Sequence, residues 1–120
     1  MKMIPVFHVT DMKQSFDFYK NILGFELKYS DESIEDPVID LTNDFAEIQL
    51  STIDGTSRAV VNVIVNDVDS LFEIFIKRGL DTSRKRESPV HQGPVNQTWG
   101  RREFYVTDRD GHTLRFGRPL

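Results

Sequence analysis

The side chains of this sequence that could take part in chemistry are few and scattered. There is no cysteine, which excludes thiolate metal ligands, a cysteine nucleophile and disulfides. The three histidines, His8, His91 and His112, lack the spacing of a metal site, so we expect them to be polar surface groups or groups that line a ligand site. These residue types favour binding over metal-based or covalent catalysis.

Trp99 is the only tryptophan, and it occurs in the polar stretch 96–100, outside any apolar periodicity. Such a residue either plugs the end of a hydrophobic core or stacks its indole on a flat aromatic or cationic ligand. The residues around it leave both interpretations open.

Composition and charge limit the class of protein. The 120 residues suffice for one domain, and 38% hydrophobic and 28% charged residues are ordinary for a soluble globular chain. The net charge of −4 argues against a nucleic-acid partner and modestly favours a cationic ligand. Pro5 and His8 break the N-terminal segment too early for a signal peptide, and no stretch approaches the ~20 apolar residues of a membrane span. We therefore expect a cytoplasmic protein with no membrane partner.

The elements that would position these side chains are encoded twice. An alternating apolar run ends at residues 9–11 and another at 65–67, and each is followed by an amphipathic segment that closes on a glycine, Gly24 or Gly79. The residues that match in register are Phe16 with Phe72, Asp17 with Glu73, and Tyr19 with Phe75. A repeat of this size predicts two copies of one supersecondary unit that share a core.

Each copy reads as a strand, a helix and then several strands. Thr10 or Asp11 begins the first helix, and Asp67 or Asp69 begins the second. The predicted strands are 3–9, 25–30, 37–41, 45–51, 59–65, 102–107 and 112–117, and the stretch 84–98 reads as a loop with at most one short strand. The prediction is an α+β fold with mostly antiparallel pairing, in a single domain of two modules, about 1–55 and 56–120.

Three segments carry a family resemblance: Ile4-Pro5-Val6 leading to Asp11, Phe18-Tyr19 through Leu23-Gly24-Phe25, and residues 99–104 running into 108–116. The sequence resembles the glyoxalase/bleomycin-resistance/dioxygenase (vicinal oxygen chelate) superfamily, and the third segment resembles its bleomycin-resistance branch. The resemblance implies two βαβββ modules that form a curved, cup-like sheet with the helices outside. Arg109 replaces the proline usual in the family's Asp-Pro-Asp-Gly turn, a change that a type I turn accepts.

The resemblance also locates the positions at which enzymes of this superfamily hold a divalent metal. They fall on Ile4, Gln49, Val60 and Arg115. Isoleucine and valine have no lone pair, arginine is a fixed cation, and a lone glutamine does not hold a hard cation. The resemblance therefore implies a protein without a metal or other cofactor, and without the catalysis that the metal supports.

If Ile4 faces the cup, side-chain alternation assigns one face of every strand to the cup. The loop residue Trp99 is added to the side chains on this face. The candidate ligand-binding residues are then Trp99, Tyr105, Asn62, Ile64, Glu47, Gln49, Glu103, Arg115, His8 and Phe45. The carboxylates either meet a cationic ligand, with Arg115 orienting one of them, or form a partly exposed ion-pair network of little energetic value. A tryptophan at the position matching Trp99 lines the drug groove of bleomycin-resistance proteins, which favours stacking there.

The resemblance implies a homodimer that sequesters a cationic, planar antibiotic such as bleomycin in two equivalent grooves, each walled by both chains. Pro5 stands where the first strand can be exchanged between chains. Drug binders of this branch carry further groove tryptophans where this chain has Asn62 and Ile64, which favours a metabolite or another planar antibiotic as an alternative. The remaining alternative is an enzyme, either metal-dependent like glyoxalases and dioxygenases or metal-free with Glu103 or Tyr105 as acid/base.

Overall fold

The computed structural model describes residues 1–44, 46–83 and 93–120, which belong to two compact units, Met1–Arg58 and Ala59–Leu120. The first unit contains β1 (Val6–His8), α1 (Met12–Asn21), β2 (Glu26–Leu27), β3 (Val38–Asn43) and β4 (Ala46–Ser51). The second contains β5 (Val60–Ile64), α2 (Val68–Lys77), β6 (Val95–Asn96), β7 (Arg101–Thr107) and β8 (Thr113–Pro119). The predicted α+β class and its repeated module are confirmed.

The two sheets have the same topology. Their strand orders are β1-β4-β3-β2 and β5-β8-β7-β6. In each sheet the first strand pairs in parallel with the last strand, and the other two pairings are antiparallel. The pairing is therefore mostly antiparallel, as predicted, and the repeat seen in the sequence is a repeat of topology.

An aspartate begins each helix. The Asp11 carboxylate accepts a hydrogen bond from the backbone N–H of Gln14, and the Asp67 carboxylate accepts one from the backbone N–H of Ser70. Each bond satisfies an N–H that the first helical turn leaves without an intrahelical acceptor. Of the capping alternatives, the structure thus selects Asp11 and Asp67.

Aromatic residues form the core between each helix and its sheet. In the first unit the Tyr19 ring of α1 lies 6.2 Å from Phe7 and 5.9 Å from Phe25, measured between ring centroids. In the second unit the ring of Phe75 on α2 lies 6.0 Å from Phe104 and 5.2 Å from Phe116. Tyr19 and Phe75, which match in the sequence repeat, are both fully buried.

The strand bounds differ from the prediction at the ends of the elements. β1 starts after Pro5, which has no N–H to donate, so Ile4 lies outside the strand. β2 is only two residues long because the chain turns shortly after it. In this turn the Glu32 backbone N–H donates to the Tyr29 carbonyl. None of the helices among the described residues has the length and apolar character needed to cross a membrane.

Candidate functional site

Each sheet has one face against its helix and an opposite face, which we call the far face. Phe7, Ile48 and Leu50 are buried on the helix side of the first sheet, and Phe104 and Phe116 on the helix side of the second. Alternation then assigns the intervening residues to the far faces. These are His8, Glu47 and Gln49 in the first unit, and Asn62, Ile64, Glu103, Tyr105 and Arg115 in the second.

Polar groups on the far face of the first sheet bond to one another. One carboxylate oxygen of Glu47 lies 2.8 Å from the Lys2 ammonium and 2.7 Å from that of Lys28. The Gln49 amide donates to the carboxylate of Asp40, its cross-strand neighbour, at 3.0 Å. These hydrogen bonds from Lys2 and Lys28 hold the pKa of Glu47 below its usual value.

His8 lies at the end of β1, with Nδ1 3.3 Å from the backbone oxygen of Asp54. Asp54 belongs to the turn after β4, and Gly55 in that turn has a φ of +102°. A side chain at position 55 would place its Cβ 2.9 Å from the His8 backbone nitrogen. The His8 ring therefore has a polar neighbour in its own unit, which gives it a structural role.

The far face of the second sheet brings its candidate residues into two rows. Asn62, Arg115 and Tyr105 are cross-strand neighbours on β5, β8 and β7. Ile64, Gly117 and Glu103 form the next row. Neighbours in a row have Cβ atoms about 5 Å apart, so these side chains are in mutual reach.

Within these rows Glu103 and Tyr105 are linked. The Tyr105 hydroxyl donates to a carboxylate oxygen of Glu103 at 2.9 Å, and only 1% of Glu103 is exposed. Burial and this carboxylate raise the pKa of the Tyr105 phenol above its usual value, which keeps the phenol protonated as a donor. The Arg115 guanidinium lies 5.2 Å from the centroid of the Tyr105 ring, within cation–π range.

Sequence reasoning missed two far-face residues of the second unit, Gln97 and Arg101. Arg101 Nε lies 3.4 Å from the second carboxylate oxygen of Glu103, an ion pair without the geometry of a hydrogen bond. Gln97 lies beside it, and its backbone N–H donates to the Arg101 carbonyl. Alternation from Glu103 could have found Arg101, but the predicted strand began one residue too late.

These residues leave hydrogen-bond donors without acceptors. Among the described residues, the buried side-chain nitrogen and oxygen atoms that lack a partner are all nitrogens: Gln97 Nε2, Arg101 Nε and Nη2, and Arg115 Nε. All of them belong to the second unit, and none to the first. Buried donors normally have a partner in the protein or in bound water or ligand, so this face is where an acceptor is missing.

Trp99 lies in the turn between β6 and β7, two residues before Arg101, and 58% of it is exposed. The interpretation of Trp99 as a plug for the core is therefore wrong. Asn62 and Ile64 on the edge strand β5 are also exposed. Phe45, like His91, lies outside the described residues.

His112 corrects a further expectation. It was expected at the surface or in the ligand site, but it is completely buried, and its Nδ1 accepts a hydrogen bond from the Ala59 backbone N–H at 3.0 Å. Its own backbone N–H donates to the carboxylate of Asp108. His112 thus ties the start of β5 to the β7–β8 turn, and its role is structural.

The residues that the family resemblance assigns to the metal positions do not fit a metal ion. In the first unit Ile4 is hydrocarbon and the Gln49 amide is bonded to Asp40; in the second, Val60 is hydrocarbon and Arg115 is cationic. Across the described part of the chain, no three His, Cys, Asp or Glu side chains are grouped as metal ligands would be.

Comparison with known structures finds the same fold in several solved proteins, among them a bleomycin-binding protein and an antibiotic binding protein. A bleomycin-binding protein complexed with bleomycin has a TM-score of 0.78 at 18% identity, over 100% of this chain and 99% of that chain. TioX from Micromonospora sp. ML1 has a TM-score of 0.74 at 25% identity, over 100% and 99%. TnmS3, an antibiotic binding protein from Streptomyces sp. CB03234, has a TM-score of 0.70 at 20% identity, over 100% and 98%.

At the level of sequence, no curated protein matches significantly. One family model does, and it spans residues 5–116, nearly the whole chain. The protein therefore belongs to the Glyoxalase/Bleomycin resistance protein/Dioxygenase superfamily.

Proposed function

We propose that this protein binds and sequesters a planar small molecule, an antibiotic of the bleomycin type, without a metal and without turning it over. One observation carries the proposal: the superfamily's metal positions hold Ile4, Gln49, Val60 and Arg115, which cannot assemble a metal site. Without a metal the shared means of catalysis is gone, while the far faces of the two sheets can still carry ligand-binding side chains.

The comparisons support a binding role. Two of the similar structures are of proteins described as bleomycin-binding and antibiotic-binding. At 18% and 20% identity these likenesses establish the fold, and the choice of an antibiotic as ligand is our proposal.

The exposed aromatic side chain of Trp99 supports a planar ligand. Trp99 is a large apolar side chain that remains 58% exposed, and its indole offers a stacking surface. The two carboxylates that favoured a cationic ligand are less available than the sequence suggested, because Glu47 is paired with two lysines and Glu103 with Arg101. We therefore propose planarity, rather than positive charge, as the shared property of the ligands.

A homodimer with two equivalent grooves, located in the cytoplasm, is part of the proposal. Light scattering on the purified chain tests the dimer, and a monomeric mass at micromolar concentration contradicts it. Cell fractionation tests the compartment.

The direct test of function is isothermal titration of EDTA-treated protein with bleomycin. We expect saturable binding without loss of drug, and at least about a tenfold weaker affinity in Trp99→Ala, since base-like stacking on an aromatic is worth about 1–3 kcal/mol. Tyr29→Ala is the matched control, because Tyr29 is an aromatic of the first unit that is 48% exposed. Heat no greater than that of dilution contradicts the assignment to bleomycin.

A second candidate is a different planar ligand, a metabolite or another antibiotic. It is favoured by Asn62 and Ile64, which are exposed on the far face of β5. The family resemblance implies that drug binders of this branch carry tryptophan at these two positions. A thermal-shift panel of planar antibiotics and aromatic metabolites separates the two candidates. Elemental analysis of purified protein tests the metal-dependent enzyme alternative, which requires a stoichiometric transition metal.

A further inference from the structure

The far face of the second sheet has an excess of buried donors. Arg101 Nε and Nη2 and Arg115 Nε are buried and have no hydrogen-bond acceptor among the described residues. Guanidinium groups only donate, so no reorientation converts these atoms into acceptors. A buried donor without an acceptor keeps its full desolvation penalty, which an incoming acceptor offsets.

The charge of this face also favours an acceptor. It carries two guanidinium groups, Arg101 and Arg115, and one carboxylate, Glu103. That carboxylate accepts from Tyr105 with one oxygen and lies 3.4 Å from Arg101 Nε with the other. A cationic ligand would have to displace one of these partners, whereas an anion meets donors that have no hydrogen-bond acceptor.

Gly117 leaves room for the Arg101 side chain beside the row of Arg115. A Cβ at position 117 would lie 2.8 Å from Arg101 Nη2 and 2.9 Å from the Glu103 Cβ. The Arg101 side chain therefore lies over the glycine, which is the next far-face position along β8 from Arg115. Two such positions on a strand lie about 7 Å apart. One carboxylate can bridge this distance by accepting a hydrogen bond at each of its two oxygens.

Apolar groups lie beside the donors. Ile64 is 63% exposed and Val60 56% exposed, and both lie on the far face of β5, next to the rows of Gly117 and Thr113. The Tyr105 ring lies in the row of Arg115. The ligand that fits both kinds of surface has an acidic oxygen group on an aromatic body.

We propose that the far face of the second sheet binds an aromatic carboxylate, or a planar oxyanion of the same geometry, whose oxygens accept hydrogen bonds from Arg101 and Arg115. This inference rests on the proposed binding function and specifies the ligand's chemistry. It replaces the cationic group expected from the sequence with an anionic one.

The experiment compares three probes of one shape that differ in charge: naphthoate, naphthamide and naphthylmethylammonium. Equilibrium dialysis against the full-length protein gives the dissociation constant of each. We expect naphthoate to bind about tenfold more tightly than the neutral amide, because each charge-assisted hydrogen bond is roughly twice as strong as a neutral one. The ammonium probe should bind most weakly.

Arg115→Gln should weaken naphthoate binding about tenfold and leave naphthamide binding nearly unchanged. Arg118→Gln is the matched control, because Arg118 lies on the same strand but on the other face and donates to the Pro119 carbonyl. Thermal unfolding of each variant verifies that it is folded at the temperature of dialysis. If Arg115→Gln does not fold, Arg115→Lys keeps the charge, removes the planar donor pair and should still reduce the preference for naphthoate.

Equal binding of naphthoate and naphthamide overturns the inference, as does tightest binding of the ammonium probe. An equal loss in Arg115→Gln and Arg118→Gln also overturns it, because the effect would then be one of net charge. The outcome is independent of the assignment to bleomycin. If the protein prefers naphthoate but does not bind bleomycin, the assignment to bleomycin is wrong and the proposed site stands. If it binds bleomycin without preferring naphthoate, the proposed function stands and the proposed site is wrong.

Discussion

The two modules share one topology but differ on their far faces. In the first unit Glu47 is paired with Lys2 and Lys28, and the Gln49 amide is bonded to Asp40. In the second unit Arg101 and Arg115 keep buried donors without an acceptor. The repeat therefore duplicates the scaffold, and the two far faces differ in that, among the described residues, the second one holds buried donors without an acceptor.

The largest expected effect on stability comes from removing the carboxylate on the far face of the second sheet. Glu103→Gln should lower the free energy of unfolding by about 3 kcal/mol, because breaking a buried pair leaves guanidinium charge uncompensated. Urea denaturation measures the change. Glu47→Gln is the matched variant in the first unit, where the lysine partners reach solvent, and its loss should be much smaller. Equal losses would remove the contrast between the two faces.

The next effect tests the space that Gly117 leaves for Arg101. Gly117→Ala should destabilise the fold by about 1–3 kcal/mol, because the new Cβ meets Arg101 and Glu103 in a packed region. It should also weaken binding of any ligand that depends on Arg101. Gly93→Ala is the control, since a Cβ at position 93 would lie 3.8 Å from the Phe72 ring, an ordinary van der Waals contact. A Gly117→Ala variant as stable as wild type contradicts the placement of Arg101.

Alkaline titration gives a smaller effect. The pKa of Tyr105 is raised in the folded protein, so the protonated phenol stabilises the fold below the unfolded value of about 10, and this contribution is lost as the pH rises through the folded pKa. The tyrosinate absorbance of wild type minus that of Tyr105→Phe should give a transition above the usual value. Tyr29→Phe serves as the exposed control. A difference transition at or below the usual value contradicts the buried bond to Glu103.

The smallest effect concerns the first unit in acid. The lysines lower the pKa of Glu47 from 4.5, so the pairing stabilises the fold above that value and is lost as the pH falls through the folded pKa. Glu47→Gln should slightly flatten the loss of stability below pH 4.5. Glu26→Gln, at an exposed position of β2, should leave it unchanged. Identical acid profiles for both variants would show that the pairing contributes nothing.

The fold was predictable because its signals are local and periodic. Asp11 and Asp67 begin the helices, Tyr19 and Phe75 occupy matched core positions, and alternation along the strands identified the far faces. The ends of strands were less predictable, because β2 and β6 are only two residues long and offer little periodicity.

The candidate site was only partly predictable, because the pairing of polar groups depends on long-range contacts. Nothing in the sequence around Glu47 indicates that Lys2, 45 residues away, bonds to it. The role of His112 likewise depends on Ala59, 53 residues away in the chain. Arg101 was missed because a strand boundary shifted by one residue removes a far-face side chain from consideration.

The most direct test of the account is a two-dimensional proton–nitrogen NMR titration of isotope-labelled protein with naphthoate, or with the tightest ligand of the antibiotic panel. We expect the largest shifts at the guanidinium Nε–H groups of Arg101 and Arg115 and at the backbone amides of β7 and β8, with little change at β3 and β4. Shifts concentrated on the first unit, with the two arginine signals unmoved, would contradict the claim that the second far face is the ligand site.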